Sequence, residues 1–222
     1  MAKNSESIPI IFAGVELYLL GERAVWMPRS HTLIVADVHL GKGTAFRKFG
    51  LPVPAGSSDK SLSRLTNLIE STAAQHLLIL GDLIHARASH DDRLHDAFLD
   101  WRKTHGELAM TLVRGNHDRS AGRLSADWNV NEVEEPWLND GLNFCHAPEH
   151  PLDALLAGHI HPVFAVRDFD RSSVSLPCFV VERQRILLPA FGNFTGGHRI
   201  HRGPDREIYI AGGQIIRKVE AD

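Results

Sequence analysis

The sequence predicts an α/β protein made of two packed sheets, parallel-rich in its N-terminal half and mostly antiparallel in its C-terminal half. Two observations carry that expectation. From residue 32 to residue 113, short apolar runs alternate with stretches of helical periodicity, an order that gives parallel strands joined by right-handed crossovers. Beyond residue 140 the helical stretches give way to short strand-like runs, as in antiparallel sheets.

Each element follows in turn. Ile8–Ile11, Val15–Leu20 and Ala24–Trp26 are β-prone and punctuated by Gly14 and Gly21, so they read as strands. Thr32–Ala36 has no polar face, which suits a strand buried on both sides. Residues 40–56 are rich in Gly, Pro and basic side chains and read as a long loop. Asp59–Ala74 reads as a helix, with Leu62, Leu65, Leu68, Ile69 and Thr72 at helical spacing and Ser57, Ser58 or Asp59 as its cap. His76–Leu80 is a second buried strand and runs into Gly81-Asp82. Asp91–His105 is an amphipathic helix through Leu94, Ala97, Phe98 and Trp101, with Ser89 and Asp92 at capping-box spacing. Leu108–Val113 is a third strand. Further strands follow at Leu142–Cys145, Leu155–Ala157, Val163–Arg167, Phe179–Glu182, Arg185–Leu188, Glu207–Ile210 and Ile215–Val219, with a tight hairpin turn at Ala211–Gln214.

Composition narrows the class. A chain of 222 residues, 43% hydrophobic and 23% charged, fits one soluble domain, 1–222, that holds a core without disulfides. The net charge of −3 provides no global basic field for nucleic acid, though a local patch is compatible with it. Two cysteines, Cys145 and Cys178, are too few for a disulfide scaffold, which fits a reducing compartment. No run approaches the roughly 18 apolar residues of a membrane span, and MAKNSESIPI lacks the apolar core of a signal peptide. The expectation is a cytoplasmic protein with no membrane partner.

The 14 histidines direct attention to metal binding. Five segments combine them with carboxylates: Asp37-Val-His39, Gly81-Asp-Leu-Ile-His85, Gly115-Asn-His-Asp118, His146, and Gly158-His-Ile-His161. From Asp37 to Asp82 is 45 residues and from Asp82 to Asn116 is 34. Each gap is about one strand-helix-strand unit, so the polar groups fall on neighbouring strand ends at one edge of the sheet. Carboxylate, imidazole and one amide oxygen suit divalent ions such as Mn²⁺, Fe²⁺ or Zn²⁺. Asp-x-His and His-x-His in extended chain would place both side chains on one face. A carboxylate such as Asp82 can bridge two cations, and two ions about 3.5–4 Å apart can hold a hydroxide for in-line attack on phosphorus.

The ordered pattern D-x-H, G-D, G-N-H-D, H and G-H-x-H resembles the calcineurin-like metallophosphoesterases. The resemblance implies a metallophosphoesterase-type αββα sandwich and two divalent ions, Mn²⁺ first, with Fe²⁺ or Zn²⁺ as alternatives. It implies one ion site from Asp37, His39, Asp82 and His161, and a second from Asp82, Asn116, His146 and His159, with Asp82 bridging. It makes His117 the active-site histidine that contacts the phosphate and protonates the leaving oxygen, with Asp118 orienting that imidazole. Many members have Gly-Asp-x-x-Asp where this chain has His85, which leaves the role of His85 open.

The runs Ala36–Lys42, Gly81–His85 and Leu156–Pro162 are similar to a narrower group, the bacterial ligase-associated DNA damage response endonucleases. That likeness implies a DNA endonuclease acting in repair, with DNA as substrate and a DNA ligase and a helicase as functional partners. The rivals are a small-molecule phosphodiesterase or nucleotide pyrophosphatase, and a catalytically dead scaffold of the same fold.

Singly, each motif has a plainer reading, such as a strand-end turn or a core histidine. His146–His150 matches a zinc-protease pattern that requires a helix, which Pro148 and Pro151 disfavour. Gly41-Lys-Gly-Thr44 fails as a P-loop because Ala36 and Gly43 stand where Gly and Ser or Thr are needed. Lys42, Arg47, Lys48, Arg87, Arg93, Arg114 and Arg119 lie on or near the motif loops and read either as a positive rim for a nucleic-acid backbone or as a solvated surface. Lys42, Arg47, His85 and Arg119 are the substrate-contact candidates. The remaining histidines read mostly as surface or packing residues; His198 and His201, in a Gly/Arg-rich loop after Asn193, read either so or as lining the cleft.

Overall fold

The computed structural model describes residues 6–48, 50–53, 56–85, 92–167 and 173–220. It is a mixed α/β protein of two sheets, as the sequence predicts. The first sheet has seven strands in chain order: β1 (Ser7–Phe12), β2 (Val15–Leu20), β3 (Ala24–Met27), β4 (Thr32–Ala36), β5 (His76–Leu80), β6 (Ala109–Val113) and β7 (Asn131–Val133). β1 to β4 form an antiparallel meander, and β4 to β7 are parallel. Helices α2 (Ser57–Thr72) and α3 (Asp92–Thr104) make the crossovers β4 to β5 and β5 to β6.

Among the described residues the second sheet has nine strands. Its main path is β14 (His198–Arg199), β11 (Pro162–Arg167), β12 (Ser173–Glu182), β13 (Arg185–Leu187), β10 (Leu155–Ala157), β9 (Leu142–Cys145) and β8 (Trp137–Asn139). β15 (Arg206–Gly212) pairs with β12, and β16 (Ile215–Lys218) pairs with β15 across Gly213-Gln214, the expected hairpin. Most of its pairings are antiparallel. The exceptions that matter are β9–β10 and β10–β13, which are parallel.

The two faces of β4 go to different cores, as a period of two requires. Leu33 and Val35 pack with Leu62, Leu65, Leu68, Phe98 and Trp101 beneath the helices. Ile34 and Ala36 pack with Phe144, Leu156, Phe179 and Ile186 between the sheets. The outer face of the second sheet buries Cys145, Cys178, Val180 and Ile208 under Leu152, Ile160 and Ile200. No residue of that cluster is helical, and among the described residues no α-helix follows Ala121. Among the described residues, loops and strand ends cover that outer face.

Three further expectations change. Residues 40–56 are not all loop, because α1 (Lys42–Lys48) lies within them. It packs on α2 so closely that a Cβ at Gly43 would sit 2.4 Å from Ser57 Oγ. That glycine weakens helix propensity but permits the contact. The caps of α2 are not Ser57, Ser58 or Asp59, since the helix starts at Ser57 after Gly56 and no side chain caps it. Ser58 Oγ instead accepts the Gly41 N–H at 3.0 Å. The short strands β7, β8 and β14 and the one-turn helix α4 (Asn116–Ala121) were not read from sequence. Arg87, Ser89 and His90 lie outside the described residues, as does the Lys48 side chain.

Candidate metal centre

Three parallel strands of the first sheet and two of the second deliver the motifs to one place. β4, β5 and β6 end level, with Ala36 opposite Leu80 and Leu80 opposite Val113. Asp37, Asp82 and Asn116 follow them. In the other sheet Cys145 lies opposite Ala157, which places His146 and the 159–161 segment at the facing edge. Parallel pairing continues past β4 and β5: Asp37 N–H donates to Gly81 O at 3.1 Å and His39 N–H to Asp82 O at 2.8 Å.

The donors converge in two sets. In the first, His161 Nε2 is 3.2 Å from Asp37 Oδ1 and 3.4 Å from His39 Nε2, and His39 Nε2 is 3.8 Å from Asp82 Oδ2. In the second, His146 Nε2 is 2.9 Å from Asn116 Oδ1, 2.9 Å from His159 Nδ1 and 3.6 Å from Asp82 Oδ1. Asp82 thus offers one oxygen to each set. Donor atoms of Asp37, His39 and His161, of Asp37, Asp82 and His146, and of His39, His85 and His117 each lie close enough to gather a cation.

The backbone is strained where these side chains sit. Asp37, His39, Asp82, His159 and His161 all have positive φ, between 49° and 71°. Asp and His tolerate that region better than most residues, yet such strain costs on the order of 1 kcal/mol or more per residue and clusters at functional sites. The side chains therefore do not converge because the chain is extended, as the sequence reading had it. Left-handed residues at alternate positions mark the Asp37–His39 and His159–His161 motifs, and Gly81 and Asp82 are left-handed in succession.

Backbone carbonyls hold the imidazoles in place. His146 Nδ1 donates to Leu80 O at 3.1 Å and His161 Nδ1 to Thr195 O at 3.0 Å. Each leaves Nε2 as the free donor atom, the arrangement of a metal-ligating histidine. His39 differs, since its Nδ1 is buried without a partner among the described residues. These carbonyls, and Glu135, whose Oε2 accepts the His146 and Ala147 N–H groups at 2.7 and 2.9 Å, carry no motif by which sequence reading could have found them.

The residues fit divalent cations. Asp37 Oδ1 is fully buried and has no hydrogen-bond partner among the described residues, an arrangement that is costly without a counter-charge. Burial, together with Asp37 and Asp118 nearby, pushes Asp82 up to about 8. Burial also lowers His39 and His146 and brings His85 down to about 4, keeping these imidazoles neutral and able to donate a lone pair.

A sign follows for stability. Between pH 6.5 and 8 the folded chain holds a proton on Asp82 that the unfolded chain has lost, so stability falls as pH rises. The lowered histidines act in the opposite sense, but only below about pH 6.5. The metal-free protein is therefore expected to melt at lower temperature as pH rises from 6.5 to 8, and saturating Mn²⁺, which binds the deprotonated site, should reverse the trend. Melting curves with chelator and with Mn²⁺ across that range test it. A chelated protein with a flat profile contradicts it.

Not every candidate joins the cluster. His117 does: its main-chain N–H donates to Asp82 Oδ1 at 3.0 Å, and its Nε2 lies 3.9 Å from Asp82 Oδ2 with the side chain 37% exposed. Asp118 does not orient that imidazole. Its carboxylate is buried and accepts the N–H groups of Asp82, Gly115 and Ile84 at 2.7, 2.9 and 3.1 Å. It ties the two motif turns together, while His117 Nδ1 donates to the His85 carbonyl. The His85 ring stacks on His117 at 4.9 Å.

Lys42 is nearly buried beside the cluster; burial lowers its pKa while Asp37 and Asp82 pull it up. Arg47 is held by Thr44 Oγ1 and lines a separate hollow with Ser58 and Arg93. Arg119 pairs with Glu134 and Glu135, and Arg114 with Glu132 and Glu134, so neither arginine is a free rim charge.

Gly158 shows how tightly the centre is assembled. A Cβ there would lie 2.6 Å from Asp37 Oδ2 and 2.7 Å from Ala36 Cβ. Gly158→Ala, though it removes no donor atom, is expected to destabilise the fold by about 2 kcal/mol and to weaken metal affinity at least ~10-fold. Urea unfolding and Mn²⁺ titration check this; wild-type values in both would show that the carboxylate can shift without loss.

Comparison with known proteins agrees with this geometry. The calcineurin-like phosphoesterase family model matches residues 30–149. Among solved structures, the chain is similar to the nuclease MPE of Pseudomonas putida: 39% identity, 93% of this chain and 98% of that one covered, TM-score 0.84. A looser likeness, to the Escherichia coli phosphoesterase YfcE, has 17% identity over 85% of this chain and 97% of that one, at a TM-score of 0.44. No curated protein matches. A family match over more than half the chain, on a two-sheet fold whose strand ends gather an Asp/His/Asn cluster around the buried Asp37 and Asp82, places this chain in the calcineurin-like phosphoesterases, metal-dependent hydrolases of phosphate esters.

Proposed function

We propose that residues 1–222 form one metallophosphoesterase domain that hydrolyses the phosphodiester bonds of DNA with two divalent cations, Mn²⁺ first, as a cytoplasmic endonuclease of DNA repair. In this reading Asp37, His39, Asp82 and His161 hold one ion, and Asp82, Asn116, His146 and His159 hold the other. The observation that carries it is the single Asp82 carboxylate facing both donor sets, with His117 Nε2 open beside it. The nucleic-acid substrate is supported by the 39% identity to a nuclease over nearly the whole chain. A DNA ligase and a helicase as partners rest on the sequence likeness alone.

When bound, the cations supply Lewis-acid stabilisation of the charge developing on phosphoryl oxygen and lower the pKa of water. The chain's own residues do the rest. Asp37, Asp82 and the neutral imidazoles fix the phosphate's approach. Lys42, beside the carboxylates, adds a positive charge near the non-bridging oxygens. His117, with Nδ1–H committed to the His85 carbonyl, can carry a second proton only at Nε2, the atom that faces the opening and hands it to the leaving oxygen.

Hydrolysis after Mn²⁺ reconstitution tests the reading. Single-stranded DNA, duplex DNA and small nucleotide diesters are compared, and metal-dependent cleavage of DNA is expected. Turnover of small diesters with DNA left intact would replace it with a small-molecule diesterase; no turnover at all would indicate a scaffold.

A further inference from the structure

We infer that Phe194 and Arg199 form a nucleobase subsite beside the metal centre, which stacks one base of a single DNA strand next to the phosphate being cleaved. The inference rests on the nuclease reading above. Phe194 lies in the segment between β13 and β14, and that segment is clamped to the cluster on both sides of it. Gly192 N–H donates to Asp37 O at 3.0 Å, Asn193 Oδ1 accepts from Arg23 at 3.2 Å, and Thr195 O accepts the His161 Nδ1 proton at 3.0 Å. The ring between these anchors is 47% exposed. Its backbone stands at φ +61°, a conformation rare for a bulky residue, and core burial does not offset the strain.

The ring has a charged neighbour. Arg199 is exposed, and among the described residues its guanidinium makes no hydrogen bond or ion pair. Phe194 and Arg199 line one hollow of about 510 Å³ with Arg23, Ser175, Pro177 and Thr195, a size that admits a single nucleotide. An aromatic face with an unpaired guanidinium beside it is the chemistry of single-strand binding: the base stacks on the ring and the cation follows the backbone. A paired duplex keeps each base face covered by its neighbours, so the subsite favours unpaired strands.

The test uses one oligonucleotide with a stretch of ordinary nucleotides and an equally long abasic stretch, cleaved in Mn²⁺. The wild-type protein is expected to cleave the base-bearing stretch on the order of tenfold faster in kcat/KM. In Phe194→Ala that preference should fall to about one, and Phe194→Trp should retain it. Arg199→Ala should slow both stretches alike and steepen no preference. A preference preserved in Phe194→Ala, or equal loss on both stretches, overturns the subsite and leaves the nuclease reading intact. A wild-type protein that cleaves neither stretch overturns the nuclease reading and the subsite with it.

Discussion

Asp82→Asn is expected to lower phosphodiester hydrolysis on the order of a thousandfold or more and to abolish tight binding of at least one cation, without weakening the metal-free fold. Asp82 Oδ1 faces His146, and Oδ2 faces both His39 and His117. Asp37 Oδ1 also lies 3.9 Å from His146, but from Nδ1, the atom that donates to the Leu80 carbonyl, so Asp82 is the carboxylate that faces the Nε2 atoms of both sets. In the absence of cations the same residue is a liability. It is buried against Asp37 and Asp118, and burial with those two charges drives it up to about 8. Asparagine removes the charge but keeps an oxygen for the His117 main-chain N–H, which now donates to Oδ1 at 3.0 Å. The melting temperature in chelator should therefore hold or rise, while the stabilisation by Mn²⁺ is lost. Metal content by mass spectrometry and paired melting curves separate the two effects. Full metal content with retained turnover would remove Asp82 from the bridging position.

The strands that build the centre were legible because tertiary structure asks little of them beyond burial. Thr32–Ala36, His76–Leu80 and Leu108–Val113 are short runs with apolar residues on both faces, and β4, β5 and β6 occupy them to within a residue. The motif residues were legible because a carboxylate or imidazole after such a run has few roles other than the site at the strand ends. What escaped has no local signal. α1 contains Gly43 and is held by its packing on Ser57 and by the burial of Ala45, not by helix propensity. β7, β8 and β14 have three residues or fewer and include polar residues, so neither a period nor an apolar run shows, unlike the equally short but wholly apolar β10. The carbonyls of Leu80, His85 and Thr195 orient His146, His117 and His161, and a main-chain oxygen is the same at every position of a sequence. Asp118 shows the same limit: proximity in sequence to His117 suggested a partner, whereas its carboxylate is used up by three main-chain N–H groups. Two members of the proposed basic rim escaped for a related reason, since Glu132, Glu134 and Glu135 neutralise Arg114 and Arg119 from strand β7 and the turn after it.

His117→Ala should leave the cations in place and slow cleavage of DNA by about 10²–10⁴-fold, the usual contribution of a positioned proton donor. The imidazole belongs to neither of the two donor sets built around His161 and His146, so its removal deletes no proposed ligand. What it deletes is a proton at Nε2, 3.9 Å from Asp82 Oδ2 and at the open side of the cluster. The size of the loss should depend on what leaves phosphorus. A sugar alkoxide is a strong base and needs that proton as the bond breaks. A nitrophenolate is stable as an anion and does not. The variant is therefore expected to lose much less on bis(4-nitrophenyl) phosphate than on DNA, and to keep wild-type Mn²⁺ content. Equal losses on the two substrates would make His117 a phosphate contact that stabilises charge on the non-bridging oxygens, and loss of metal would make it a ligand through the His39, His85 and His117 group that the fold also brings together.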